Sequence, residues 1–207
     1  MLFRSIIAAI ILVVIGRDFI KKHATLCYLL TTLLSIALVA GSFSGIIWTL
    51  PPWFTTTILP ILIKSTFATS IFVIVMYTGA FKNGSKFIKF LMPIRGELSI
   101  IASILTLAHN ISFGRNHFVN LFTAPETMSS NMKAAAGVSI ILIAIMIPLF
   151  ITSFPMIRKK MKAKTWKSLQ RTAYLFYALI YVHVMLIMVP FCRFFASSLY
   201  LCNAEHE

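Results

Sequence analysis

Apolar residues run along this chain in six long stretches, at residues 2–15, 24–48, 58–81, 98–113, 134–153 and 172–201, and polar residues gather in the short segments between them. A helix needs about 20 predominantly apolar residues to cross the hydrocarbon core of a bilayer, and several of these stretches have that length. The pattern predicts an all-α integral membrane protein, a bundle of about six transmembrane helices forming one domain over residues 1–207. The first stretch is short, and a secretory signal is its rival. Basic residues (Arg17, Lys21, Lys22) follow the apolar run, and no small-x-small cleavage site stands out, so it reads as an uncleaved extra helix over residues 1–16. Pro148, Pro155 and Pro190 fall inside or at the edges of predicted helices, where they should kink or end them.

Composition supports lipid as the solvent and the bilayer as the first partner. The chain is 59% hydrophobic and has only five acidic side chains in 207 residues, far from the balance of a soluble domain. A net charge of +14 would raise the question of nucleic acid in a soluble protein. Here the basic residues sit in short loops between apolar helices, as the positive-inside rule produces, so no nucleic-acid partner is expected.

Charge also sets the orientation. The first loop carries Arg17, Lys21 and Lys22, the third Lys82, Lys86, Lys89 and Arg95, and the fifth seven cations between Arg158 and Arg171. The second loop, 44–57, has none, and the fourth only Arg115 and Lys133. Odd loops should therefore face the cytoplasm and both chain ends the outside, in a multi-pass protein of a bacterial inner or plasma membrane. Trp48, Pro51, Pro52 and Trp53 suit a short outer connection at the interface. Cys27, Cys192 and Cys202 form no C-x-x-C pair and read as apolar fillers, with a disulfide between the last two open if both face an oxidising exterior. No G-x-G-x-x-G turn or Walker loop is present, so electrons from NAD(P)H would need another polypeptide to deliver them.

Depth separates the five histidines. His23, His117 and His206 fall at helix ends or in polar segments, whereas His109 and His183 lie deep in the fourth and sixth stretches. An ionisable group at membrane depth is costly and points to function. His109 lies 14 residues beyond Arg95 and His183 lies 13 beyond Gln170. At 1.5 Å per residue both stand roughly 20 Å above the inner interface on helices running the same way. Two imidazoles at one level can hold a haem iron from opposite faces, as in b-type haems. They can equally well form ordinary hydrogen bonds between helices. On the second reading the protein is a non-redox transporter or scaffold.

Two stretches carry a family likeness. One runs from Ile94-Arg95-Gly96 to Leu107-Ala108-His109-Asn110-Ile111-Ser112-Phe113. The other holds Phe150-Ile151-Thr152-Ser153, a basic loop, Trp166-Lys167-Ser168-Leu169-Gln170-Arg171, Tyr174 and Tyr181-Val182-His183. Over residues 24–189 the chain resembles the ferric reductase-like transmembrane family, and within it most closely the haem-binding membrane subunits of periplasmic methionine sulfoxide reductases. The resemblance implies transmembrane electron transfer through haem b, with His109 and His183 as iron ligands.

In relatives with two stacked haems, each of two helices adds an inner histidine, at positions held here by Arg95 and Gln170. The resemblance therefore implies one haem only, the outer one. The gap to the inner surface, roughly 20 Å, would then need a flavin or quinone, with a flavoprotein or other reductase partner or membrane quinol as donor. Arg95 and the basic fifth loop read as topology determinants, or else as a docking place for that flavin, quinol or acidic flavoprotein. Ser99 and Ala102, small residues before His109, would leave space for the flat macrocycle, and Phe176, Leu179 and Ile180 would wall it. Lys64 reads as a cation snorkelling to the outer interface, or paired with haem propionates together with Arg115 or His117. Whether the chain is itself an enzyme or an electron-transfer subunit of one is left open by the sequence.

Overall fold

The computed structural model describes residues 2–80 and 85–204 and contains helices and turns, with no strand among the described residues. In chain order the helices are α1 (Leu2–Lys22), α2 (Ala24–Ser44), α3 (Leu59–Ile63), α4 (Thr66–Ala80), α5 (Lys86–Leu91), α6 (Arg95–His109), α7 (Arg115–Thr123), α8 (Ser130–Ser153), α9 (Pro155–Arg158) and α10 (Ala163–Ala204). Four helical stretches among the described residues are long and apolar enough to cross a membrane, and the bent pair α3–α4 makes a fifth. The chain is thus an all-α, multi-pass membrane protein. The first apolar stretch, α1, is 21 residues long but includes Arg4, Arg17, Asp18, Lys21 and Lys22, and it does not join the five. It lies along α4 instead, presenting Ser5, Ala9 and Val13 at four-residue intervals to the core, with the Ser5 hydroxyl bonded to Thr66 Oγ1 at 3.0 Å.

At the centre is α6. Leu98, Ile100, Ile101, Ala102, Ser103, Leu105 and Ala108 are all buried, which is more of the helix circumference than one packing face could cover. It meets α2, α4 and α8, and α10 closes the bundle against α8 and α4. A helix buried on so many sides belongs inside such a bundle rather than at its edge. Pro148 sits within α8 without ending it, while Pro155 follows an extended Phe154 and opens α9, the turn that reverses the chain into α10.

The odd-numbered loops meet at one end. Arg17 donates from Nε to the Phe90 carbonyl at 2.8 Å and lies over the Phe90 ring, joining the first loop to the third. Tyr28 meets Phe154 edge-on at 5.8 Å, joining the first to the fifth. At the other end Arg115 lies over Phe43, 5.5 Å from its centroid. The basic loops therefore share one face of the bundle, the one the positive-inside rule assigns to the cytoplasm, called inner below. Lys82, His206, and the side chains of Arg193, Cys192 and Cys202, with the disulfide considered for the last two, lie outside the described residues.

Two local departures from straight helices prepare the site. The third span bends by 47° between α3 and α4. At the bend Ser65 has φ of 58°, a left-handed conformation that costs a residue with a Cβ about 1–2 kcal/mol. The fourth span continues beyond His109 through one π-helical turn, Asn110–Gly114, into α7. The segment after the fourth apolar stretch thus begins as helix.

Candidate functional site

A single cavity of about 510 Å3 opens among α4, α6, α7, α8 and α10, and both His109 and His183 line it. That volume is within the roughly 300–1,000 Å3 usual for cofactor and ligand sites. Its inner end is closed by Phe72, Met146 and Phe176, each at most 5% exposed. Its outer end reaches Lys64, Asn110 and His117, of which Lys64 and His117 are exposed.

Each element supplies its residues at a regular interval. From α4 come Thr66, Thr69 and Phe72, three apart. From α8 come Ala135, Ser139, Leu142 and Met146, three or four apart, with small residues where the two histidines' level is reached. The α6–α7 segment contributes His109, Phe113 and His117, four apart. Residues four apart on an α-helix drift by about 40° each time. The wider i→i+5 turn between His109 and α7 opposes that drift and keeps all three on the cavity side.

The hydrogen bonds of the two rings fix their chemistry. His109 Nδ1 lies 2.8 Å from the Ile63 carbonyl oxygen. A carbonyl only accepts, so Nδ1 carries the proton, and in the neutral ring Nε2 keeps its lone pair. The Ile63 carbonyl is available because the helix breaks just after it. His183 Nδ1 lies 3.1 Å from the Ala135 carbonyl and 3.1 Å from Ser139 Oγ. Since the Ser139 hydroxyl donates its own proton to Ala135 at 2.9 Å, it also accepts from the ring. Neither Nε2 has a hydrogen-bond partner among the described residues. Two imidazoles with Nδ1–H anchored and Nε2 left free are in the state that a metal-ligating histidine adopts.

Of the other residues singled out in the sequence, Phe176 and Ile180 line the cavity. Ala102 is fully buried in the α6 core, Ser99 turns its carbonyl to the Ser103 hydroxyl, and Leu179 packs on the core, so these three stand apart from it. Arg95 and Gln170 lie toward the inner end. A Cβ at Gly79 would meet Arg95 Nη2 at 3.0 Å, the Tyr174 hydroxyl donates to the Gly79 carbonyl at 3.2 Å, and Gln170 donates to Thr152 Oγ1 at 3.4 Å. Phe72, Phe176 and Tyr177 form one aromatic group between that polar cluster and the cavity, with Phe72 and Phe176 at 5.2 Å and Phe176 and Tyr177 at 5.9 Å. Sequence reasoning missed Ser139 and the Ile63 carbonyl. The small-residue run Ala135-Ala136 with Ser139 was a visible signal for the first, while the second had none, being a backbone atom 46 residues away. Among the described residues no three His, Cys, Asp or Glu side chains gather as a metal cluster would need.

Residues 65–181 match the family model described as ferric reductase like transmembrane component, a stretch of 117 residues, over half of the 207. It contains His109 and stops two residues before His183. The chain is also similar to an uncharacterized protein of Treponema pallidum (strain Nichols), 40% identical over 186 residues, which are 90% of this chain and 51% of that protein. The chain thus spans about half the length of the curated relative it matches. No solved structure matches it significantly.

Proposed function

The chain belongs to the ferric reductase-like transmembrane family, and from that premise we propose that it is a cytochrome b subunit with one b-type haem held between His109 and His183. Its work is transmembrane electron transfer, from a cytoplasmic flavin or membrane quinol to an acceptor outside: a flavoprotein, a reductase partner or ferric iron. On this reading it functions in a bacterial cell membrane, as the haem-binding subunits of periplasmic methionine sulfoxide reductases do by the sequence likeness.

One observation carries the reading: two histidines from different spans line one cavity, each with Nδ1 anchored on a carbonyl and Nε2 free. The surroundings fit the group as well. Apolar side chains such as Phe72, Leu142, Phe176 and Ile180 suit the body of a macrocycle, and polar groups are found at the outer end, where its carboxylates would meet water. A haem so held supplies a one-electron carrier whose potential depends on ligand orientation, hydrogen bonding and burial.

The protein's own residues do the rest. The Ile63 and Ala135 carbonyls hold the rings in one tautomer. Phe72, Met146 and Phe176 keep water from the inner end. Arg95, Gln170 and Tyr174 fill the inner half with fixed polar and aromatic groups, on which a flavin or quinol head group would be received.

The test is electron crossing. Proteoliposomes of the full chain with ferricyanide enclosed should reduce it when a reduced flavin or quinol is added outside, and His109→Ala or His183→Ala should stop it. Crossing at the rate of protein-free vesicles would overturn the proposal.

A further inference from the structure

The outer mouth of the cavity holds two groups whose arrangement goes further than the electron-transfer reading uses. Lys64 lies at the break between α3 and α4, seven residues beyond the outer connection (44–57), and its side chain lines the cavity. The ammonium is exposed at the mouth, where it can receive an anion. No carboxylate answers it among the described residues: the acids there are Asp18, paired with Arg17, and Glu97 and Glu126, none of which lines the cavity. His117 comes to the same mouth from α7, brought onto the His109 face by the π turn, and Asn110 sits between them. Of the two other cations near this end, Arg115 is turned away onto the Phe43 ring and Lys133 does not line the cavity. A cation and two hydrogen-bonding side chains from two separate spans thus border one end of an otherwise apolar chamber.

From this juxtaposition we propose that Lys64 and His117 form a carboxylate clamp at the outer mouth. It rests on the haem reading and deepens it. Lys64 supplies the charge, and His117 and Asn110 supply N–H donors. Charge-assisted bonds of this kind are roughly twice as strong as neutral ones. Two sources offer such carboxylates, the propionates of the haem itself and an anionic acceptor arriving from outside, and the chemistry of recognition is the same for both.

The experiment uses the full chain in detergent, purified without haem and titrated with haemin or haemin dimethyl ester, read by the Soret band. Its second arm follows reoxidation of the reduced, loaded protein by ferric citrate. If the clamp holds propionates, wild type binds haemin about tenfold more tightly than the diester. The Lys64→Gln/His117→Gln variant then loses that preference by weakening haemin alone, and Lys64→Arg retains it. If the clamp serves an incoming acceptor, haemin affinity is equal in all variants and reoxidation by ferric citrate slows about tenfold in Lys64→Gln but not in Lys64→Arg. Either result supports a carboxylate site and assigns its source. Variants identical to wild type in both arms overturn the clamp while the haem remains. A wild type with no Soret band at all removes the haem reading and the clamp together.

Discussion

The Ile63 carbonyl accepts the Nδ1 proton of His109 at 2.8 Å across 46 residues of sequence, and the break in the third span is what makes that carbonyl available. In an unbroken helix the oxygen would be committed to the amide four residues on. The bend depends in turn on Ser65, whose φ is 58°.

Substitutions at Ser65 should therefore act on His109. Ser65→Gly, which removes the Cβ penalty, is expected to stabilise the protein by about 0.4–1 kcal/mol or leave it unchanged, and to keep the ligand field. Ser65→Val places a β-branched residue where it is least tolerated and should lower thermal stability and broaden the low-spin haem signal. Thermal unfolding in detergent and electron paramagnetic resonance of the same samples measure both.

Ser139 offers the corresponding test at His183. Ser139→Ala removes one acceptor from the Nδ1 proton and leaves the Ala135 carbonyl in place. The ring becomes slightly less basic, and haem content should be unchanged while the midpoint potential rises by some tens of millivolts, on the order of one hydrogen bond. A redox titration reads the shift.

Filling the chamber should exclude the macrocycle without unfolding the bundle. Ala136 lines the cavity and is 4% exposed, so Ala136→Phe directs a ring into existing space. We expect helical circular dichroism to be retained and haem to be lost. The contrast is Leu98→Ala, at a core position 1% exposed and away from the cavity, which should cost about 2–5 kcal/mol and leave the spectrum of the folded fraction unaltered.

Substitution of Arg95 distinguishes the two proposed donors. Arg95→Ala should slow reduction by a soluble reduced flavin roughly tenfold at low ionic strength and leave haem content unchanged. Stopped-flow reduction at the Soret maximum gives the rate. An unaltered rate would assign electron entry to quinol in the outer half of the bilayer.

Much of this organisation was legible in the sequence, and the limits have physical reasons. Hydropathy gave the all-α membrane fold, and counting from Arg95 and Gln170 put His109 and His183 at similar distances along their helices, because helical rise is nearly constant. Rotation about a helix axis was not legible in α6, whose buried residues are spread round much of its circumference, and Ser99 and Ala102 lie outside the cavity lining. On α10 Leu179 packs on the core, one position from Ile180, which lines the cavity. The bend at Lys64–Ser65 carries no proline or glycine, so the third span read as continuous. The π turn after His109 likewise left no mark in composition. Lys64 was the exception: a lone cation in an apolar run was visible at once, with Arg115 or His117 as its partner, and the structure places His117 and Asn110 beside it on the cavity while Arg115 lies over Phe43.

The central claim is that the rings of His109 and His183 share one iron. The most direct measurement is the visible spectrum of the detergent-solubilised wild type, oxidised and then reduced with dithionite. A Soret band, with sharp α and β bands on reduction and one haem per chain, is the result predicted. A protein without colour, after expression with ample haem, would contradict it and leave the two histidines as interhelical hydrogen-bonding groups in a non-redox bundle.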